Sequence, residues 1–201
     1  MNMSTSFINI LLLTTLFIAG CATDQARPDK LSQQDVDKAL KETSQSDILK
    51  YREAITFLAK GNLDEAEARL IEFSEERPEL AGPYANLALI HIKRNKLELA
   101  EQMLSKALQR NPEMPQAYNL MGYIEKNRGN IIKAKDMYSK AIKLKNNYAL
   151  AHYNLALLYD IYIQDISKAV MHYQTYLALT KNQDKITAEW VSQLKASLTK
   201  S

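Results

Sequence analysis

The sequence predicts an all-α protein built of stacked helix hairpins, and three observations carry that prediction. Glycine and proline are scarce, five of each in 201 residues. The alternation of apolar and polar residues that marks half-buried strands is missing along the chain. Segments beginning at Asp47, Ala81, Pro115 and Ala149 align with one another at a spacing of 34 residues, which gives each unit room for two short helices and a turn.

Taken in order, the chain begins with an apolar run from Phe7 to Ile18. It is shorter than the about 20 residues that span a bilayer, but it has the length of a secretory h-region. The single cysteine follows it in Ile18-Ala19-Gly20-Cys21, with small residues beside the thiol and a polar stretch after it. This stretch resembles the bacterial lipobox, although the leading MNMSTS carries no Lys or Arg. The resemblance implies that residues 1–20 are a lipoprotein signal peptide removed before Cys21, and that Cys21 carries acyl chains, palmitate among them. It also implies that Ala22, standing where Asp would retain the protein at the inner membrane, directs it to the periplasmic face of the outer membrane. With no second thiol in the chain an intramolecular disulfide is excluded, so stability must come from packing.

Residues 21–46 read as a polar tether with Pro28 near its start and a weak helical stripe over Leu31–Thr43. The repeats follow over residues 47–180, in copies of approximately 47–80, 81–114, 115–148 and 149–182. The second copy shows Tyr84, Leu87-Ala88, Ala100, Leu104, Ala107 and Pro112; the third shows Tyr118, Met121-Gly122, Gly129, Ala134, Tyr138 and Ala141; the fourth shows His152, Leu155-Ala156 and Tyr159. These residues resemble the tetratricopeptide repeat, and the fold implied is a right-handed superhelix of helix hairpins. Small residues at Ala88, Gly122 and Ala156 on the first helix, and at Ala66, Ala100 and Ala134 on the second, mark close approach within each hairpin. Gly61 and Gly129 permit the tight turns. The first copy departs from the pattern with Lys50 and Glu53-Ala54, as a terminal repeat does. The fourth has 13 residues instead of 12 between Ala156 and Ala169, with DIYIQDIS in place of a short polar turn. Residues 183–201 read as a capping helix whose stripe Ile186, Trp190, Leu194 and Leu198 covers the end of the stack.

Composition bounds the function. A net charge of +3 is too small to argue for nucleic acid. The charge is nevertheless uneven, with seven acidic and two basic residues in Gly61–Leu80 and two acidic and seven basic in Met121–Lys145. No catalytic motif is present, and His91, His152 and His172 lack the close spacing of metal ligands, so neither an enzyme nor a metal site is predicted. No cofactor is expected beyond the lipid on Cys21.

The resemblance to tetratricopeptide proteins implies a concave partner-binding groove lined by the first helix of each hairpin. Carried over position by position, its residues include Tyr51, Ile55, Leu89, Ile92, Lys93, Asn119, Tyr123, Lys126, Asn127, Tyr153, Leu157 and Asp160. Asn86 and Asn154 match the place whose amide holds ligand backbone in the family, while Asn119 is shifted by one. Tyr123 and Tyr153 are expected to project into the groove with little part in the fold. The occupant is either a protein partner or a terminal helix of this chain. Lipobox, size and repeat type resemble the tetratricopeptide lipoproteins that assist type IV pilus secretins. The fourth repeat resembles that of lipoproteins associated with TonB-type energy transducers. These resemblances imply a membrane-anchored scaffold in an envelope assembly; an adaptor that recruits or regulates a cell-wall enzyme is the alternative.

Overall fold

The computed structural model describes residues 45–199. The signal peptide, Cys21, and the helix expected at 31–43 lie outside these residues. The described residues form nine α-helices and no strand: α1 Gln45–Lys60, α2 Leu63–Glu76, α3 Ala81–Lys93, α4 Leu97–Arg110, α5 Pro115–Asn127, α6 Ile131–Leu144, α7 Ala149–Leu157, α8 Ile166–Leu179 and α9 Lys185–Leu198. Helices pair as four hairpins, α1/α2, α3/α4, α5/α6 and α7/α8, and α9 packs against α8. This is the all-α repeat superhelix that the sequence predicts. Among the described residues no helix is long and apolar enough to cross a membrane.

The second helix of each hairpin is amphipathic, and its buried stripe follows helical spacing: Ala66, Leu70 and Phe73 in α2, Ala100, Leu104 and Ala107 in α4, Ala134, Tyr138 and Ala141 in α6. The first helices α3, α5 and α7 are buried on most sides because neighbours cover them from several directions. Small residues set how closely the two helices approach. Ala54, Ala88 and Ala156 are fully enclosed, and at Gly122 a Cβ would stand 2.6 Å from the ring of Tyr138. The third hairpin therefore trades a methyl on α5 for a large aromatic ring on α6.

Each hairpin turns on one residue in the left-handed region: Gly61 (φ 82°), Asn95 (φ 57°), Gly129 (φ 80°) and Gln164 (φ 60°). In the first three, the following amide donates back across five residues, from Asn62 to Phe57 O, Lys96 to His91 O and Asn130 to Glu125 O, the closure of a Schellman-type helix end. In the fourth, Asp165 N–H reaches back six, to Tyr159 O. The extra residue is absorbed by a π-helical turn, Leu158–Ile163, that continues α7. That wider turn keeps Leu158 in the core and leaves Ile161 and Tyr162 at the surface. α8 then starts on a side-chain cap, Asp165 Oδ1 accepting from Lys168 N–H at 3.0 Å.

Between hairpins, an arginine at the end of one first helix clasps the second helix before it. Arg94 binds Asp64 and Glu67 on α2, and Arg128 binds Glu98 and Glu101 on α4, 34 residues further on. The third junction replaces this clasp with apolar packing. Counting back from Gln164, Ile163 takes the arginine's place, and Ile132 and Lys135 stand where the acids would be. Ile163 packs on Ala134, Tyr138, Leu155 and Leu158 instead.

The capping helix corrects one expectation. α9 buries Thr187, Val191 and Leu194, whereas Ile186 is 71% exposed and Trp190 and Leu198 are also exposed. Residues at intervals of four drift by about 40° per step around a helix, so a stripe of four cannot face one neighbour. The interval pattern i, i+4, i+7 of the buried set stays on one side. Asp184 caps α9, accepting from Thr187 N–H and Thr187 Oγ1–H, and Tyr176 on α8 donates to the same carboxylate.

Candidate functional site

The first helices α1, α3, α5 and α7 place the groove residues in a row, but they differ in how much of each side chain reaches solvent. Tyr51, Leu89, Asn119, Lys126 and the amides of Asn86 and Asn154 are buried. Ile55, Tyr123, Tyr153 and Leu157 are half-buried, and Lys93 and Asn127 are exposed. The accessible part of the row is thus apolar and aromatic at Ile55, Tyr123, Tyr153 and Leu157, with Lys93 and Asn127 as its exposed polar members. Asn127 is held in place by its amide donating to Tyr123 O at 2.8 Å. The ammonium of Lys126 lies 5.6 Å from the Tyr123 ring centroid, a cation–π distance.

The asparagines tie neighbouring repeats together. Asn86 donates from Nδ2 to the phenol oxygen of Tyr51 at 2.8 Å, and Asn154 donates from Nδ2 to Asn119 Oδ1 at 2.9 Å. Both bonds span 35 residues. The one-place shift of Asn119 is therefore what sets it opposite Asn154; between these two bonds the equivalent pair is Ala85 and Leu120, both buried and apolar. Burial pushes the Tyr51 phenol well above its usual pKa. Asn119 Nδ2 and Asn154 Oδ1 remain buried without a hydrogen-bond partner.

Tyr153 does more than line the row. Its ring centroid is 5.8 Å from that of Tyr173 and 4.9 Å from that of Tyr176 on α8, so it contributes to the packing of the fourth hairpin. Asp160 closes the C-terminal end, accepting from Tyr173 Oη–H at 3.2 Å and from Trp190 Nε1–H at 2.7 Å. Trp190, read from sequence as a cap, is thereby brought to the end of the row by a bond that no local pattern announces.

The histidines separate into two environments. His91 faces Glu67 at 3.6 Å, and burial, its strongest influence, holds its pKa below the usual value. His152 and His172, 20 residues apart in sequence, have their Nδ1 atoms 3.0 Å apart. Among the described residues no group of three or more His, Cys, Asp or Glu side chains could hold a metal ion.

No curated protein matches the sequence significantly. Solved structures do resemble it. A structure from work on the functional characterisation of Pseudomonas aeruginosa pilF is 20% identical, covers 82% of this chain and 71% of that one, and superposes with a TM-score of 0.67. TTC0263, a thermophilic tetratricopeptide protein of Thermus thermophilus, is 22% identical over 80% of this chain and 87% of its own, with a TM-score of 0.64. YrrB, described as a tetratricopeptide protein with an unusual peptide-binding site, is 20% identical over 78% and 79%, with a TM-score of 0.55. At these identities the likeness establishes the fold. The family model for the tetratricopeptide repeat protein 21 C-terminal ARM domain matches residues 58–195, from the end of α1 to α9. The chain belongs to that family of tetratricopeptide-like helical repeats.

Proposed function

We propose that this protein is a lipid-anchored scaffold on the periplasmic face of the outer membrane, which binds a protein partner of an envelope assembly, of the pilus-secretin or energy-transducer kind, along the row of first helices. The observation that carries the binding reading is that Ile55, Tyr123 and Leu157 on the first helices remain half-buried, with Lys93 and Asn127 exposed on the same helices. Half-buried aromatic and aliphatic side chains on rigid helices supply contact area at low entropic cost, and buried aromatic anchors dominate binding hot spots. Among similar folds, the first tetratricopeptide domain of Spaghetti (RPAP3) is bound to the HSP90 peptide SRMEEVD, which supports peptide binding as a use of this architecture. The anchor rests on Ile18–Cys21. Two or three acyl chains hold a protein at a membrane where one does not, at about 0.8 kcal/mol per buried methylene.

The test is chemical cross-linking and affinity capture of the full-length protein in its native envelope, with Lys93→Ala/Tyr123→Ala as the competitor variant and Cys21→Ala as the unlipidated one. The expected result is specific capture of an envelope-assembly component, lost in the first variant with its circular dichroism melt little changed, and loss of membrane fractionation in the second. Unchanged capture by the Lys93/Tyr123 variant would move the partner off this row. Capture of a cell-wall enzyme whose activity rises or falls on binding would replace the scaffold reading with the adaptor one.

A further inference from the structure

The second, third and fourth hairpins share a device at the head of the first helix. Tyr84 Oη–H donates to Pro78 O, Tyr118 Oη–H donates to Pro112 O, and His152 Nε2–H donates to Asn146 O, each six residues upstream. The carbonyl can only accept, so Nε2 of His152 carries the hydrogen. In the neutral ring, Nδ1 is then the bare nitrogen. His172 Nδ1, 3.0 Å away, must be the donor to it. The positions equivalent to His172 hold Met103 and Met137. The fourth hairpin thus replaces a Tyr and Met pair with two histidines joined by one hydrogen bond, and the pair binds α7 to α8 and to the loop before them.

The pair lies beside an aromatic ring, and the charged groups on the elements around it are turned to other partners. On the π-helical turn, the Tyr159 ring stacks on His172 with centroids 5.8 Å apart and planes 3° from parallel. On α8, Lys168 sits 5.3 Å from the Tyr159 centroid and pairs with Asp165. In the loop, Lys145 lies 5.8 Å from the centroid of Tyr148. On α6, packed against α7, Lys140 turns to Tyr118, and on α9, packed against α8, the capping Asp184 is taken by Tyr176 and Thr187. The first cause acting on His172 is burial and the second is His152; together they hold it down to about 4.

We propose that His152 and His172 form a proton-operated latch: with no more than one proton added to the pair the bond between them persists and the fourth hairpin is closed, and protonation of both rings loosens α7, α8 and α9 while the third hairpin, which holds no histidine, stays closed. A second proton cannot be accommodated, because both Nδ1 atoms would then carry hydrogens 3.0 Å apart in two cationic rings. The sign follows from linkage. A histidine whose folded pKa is depressed contributes stability that is present above its unfolded value, about 6.5, and is lost as pH falls toward its folded value. In the window from about pH 6.5 to about pH 5 the open state binds more protons, and allowing for solvent at the half-buried ring the opening constant should rise about tenfold. The end of the row formed by Tyr153, Leu157 and Asp160 lies on α7 and the turn that continues it, so loosening would reshape it.

The test is hydrogen exchange with mass spectrometry on the full-length protein at about pH 7 and about pH 5, corrected for intrinsic exchange rates, beside the variant His152→Tyr/His172→Met, which copies the second and third hairpins. The expected result is that protection over residues 149–198 falls about tenfold at the lower pH relative to residues 115–144, which hold no histidine, and that the variant abolishes the difference. An equal loss in both segments, or a pH response kept by the variant, overturns the proposal. Should that variant not fold, titration of the imidazole signals of the unaltered protein decides: a His172 midpoint well below about 6 supports the latch, and one at about 6.5 or above refutes it.

Discussion

The second and fourth hairpins have the same outline and are held by different chemistry. The second is clasped to its predecessor by Arg94 on Asp64 and Glu67, pairs Ala88 with Leu104 in its interior, and places Tyr84 beside Met103 along one depression. The fourth packs Ile163 where the arginine would be, encloses Ala156 and Tyr173 in one core, and puts His152 against His172. It also carries the π-helical turn and side-chain caps at Asp165 and Asp184. The repeat period therefore specifies where helices meet but leaves open which interactions hold them, and acidic or basic character can change along a stack without altering its shape.

The third hairpin lies between them and offers the strongest means of breaking this comparison. Gly122→Ala should clash with Tyr138 and cost about 1–3 kcal/mol, because overpacked cores shift backbone or force side chains off rotamer. Adding Tyr138→Leu recreates the Ala and Leu pair of the second hairpin and should recover most of the loss in chemical unfolding. Failure of that rescue would mean that the small and large positions are not interchangeable between hairpins.

A smaller effect is expected at the end of the stack. Val191→Ala should destabilise by about 1–2 kcal/mol through lost apolar burial, whereas Ile186→Ser should stay within about 0.5 kcal/mol as an exposed change. Thermal melts showing the reverse order would mean that α9 presents its other face to α8.

The clasps should give the smallest differences. Arg94→Ala should cost more than Arg128→Ala, since Glu67, one partner of Arg94, is largely shielded whereas Glu98 and Glu101 are more exposed. Both losses should shrink in high salt. Urea midpoints measured with and without about 1 M salt check this, and a salt-independent loss would assign the arginines a packing role instead.

Much of the architecture was readable before any coordinates, because small residues recurring every 34 positions point to repeated close contact. Ala66, Ala100 and Ala134 are fully enclosed as that reasoning requires. What escaped the sequence depended on pairs brought together by the stacking itself. His152 and His172 are 20 residues apart with no motif joining them, the clasp of Arg94 reaches back 30 residues to Asp64, and Trp190 finds Asp160 at the same separation. In the groove, residue position identified the row but not depth: Asn86 and Asn154 are turned into bonds between repeats because Tyr51 and Asn119 stand 35 residues before them. The face of α9 was misread for a different reason, since four large residues at intervals of four look continuous on paper and spiral away from any one neighbour.

The exposed side of α9 has a thermodynamic consequence. In a linear array with nearest-neighbour coupling, an interior unit is held by two interfaces and a terminal unit by one, so melting proceeds from the ends inward. Among the described residues α9 packs chiefly on α8, and its release would uncover Val170 and Leu177. The sole tryptophan of the chain sits on this outermost unit. Its fluorescence should therefore register the first step of unfolding, while the ellipticity of the whole helix array reports the last.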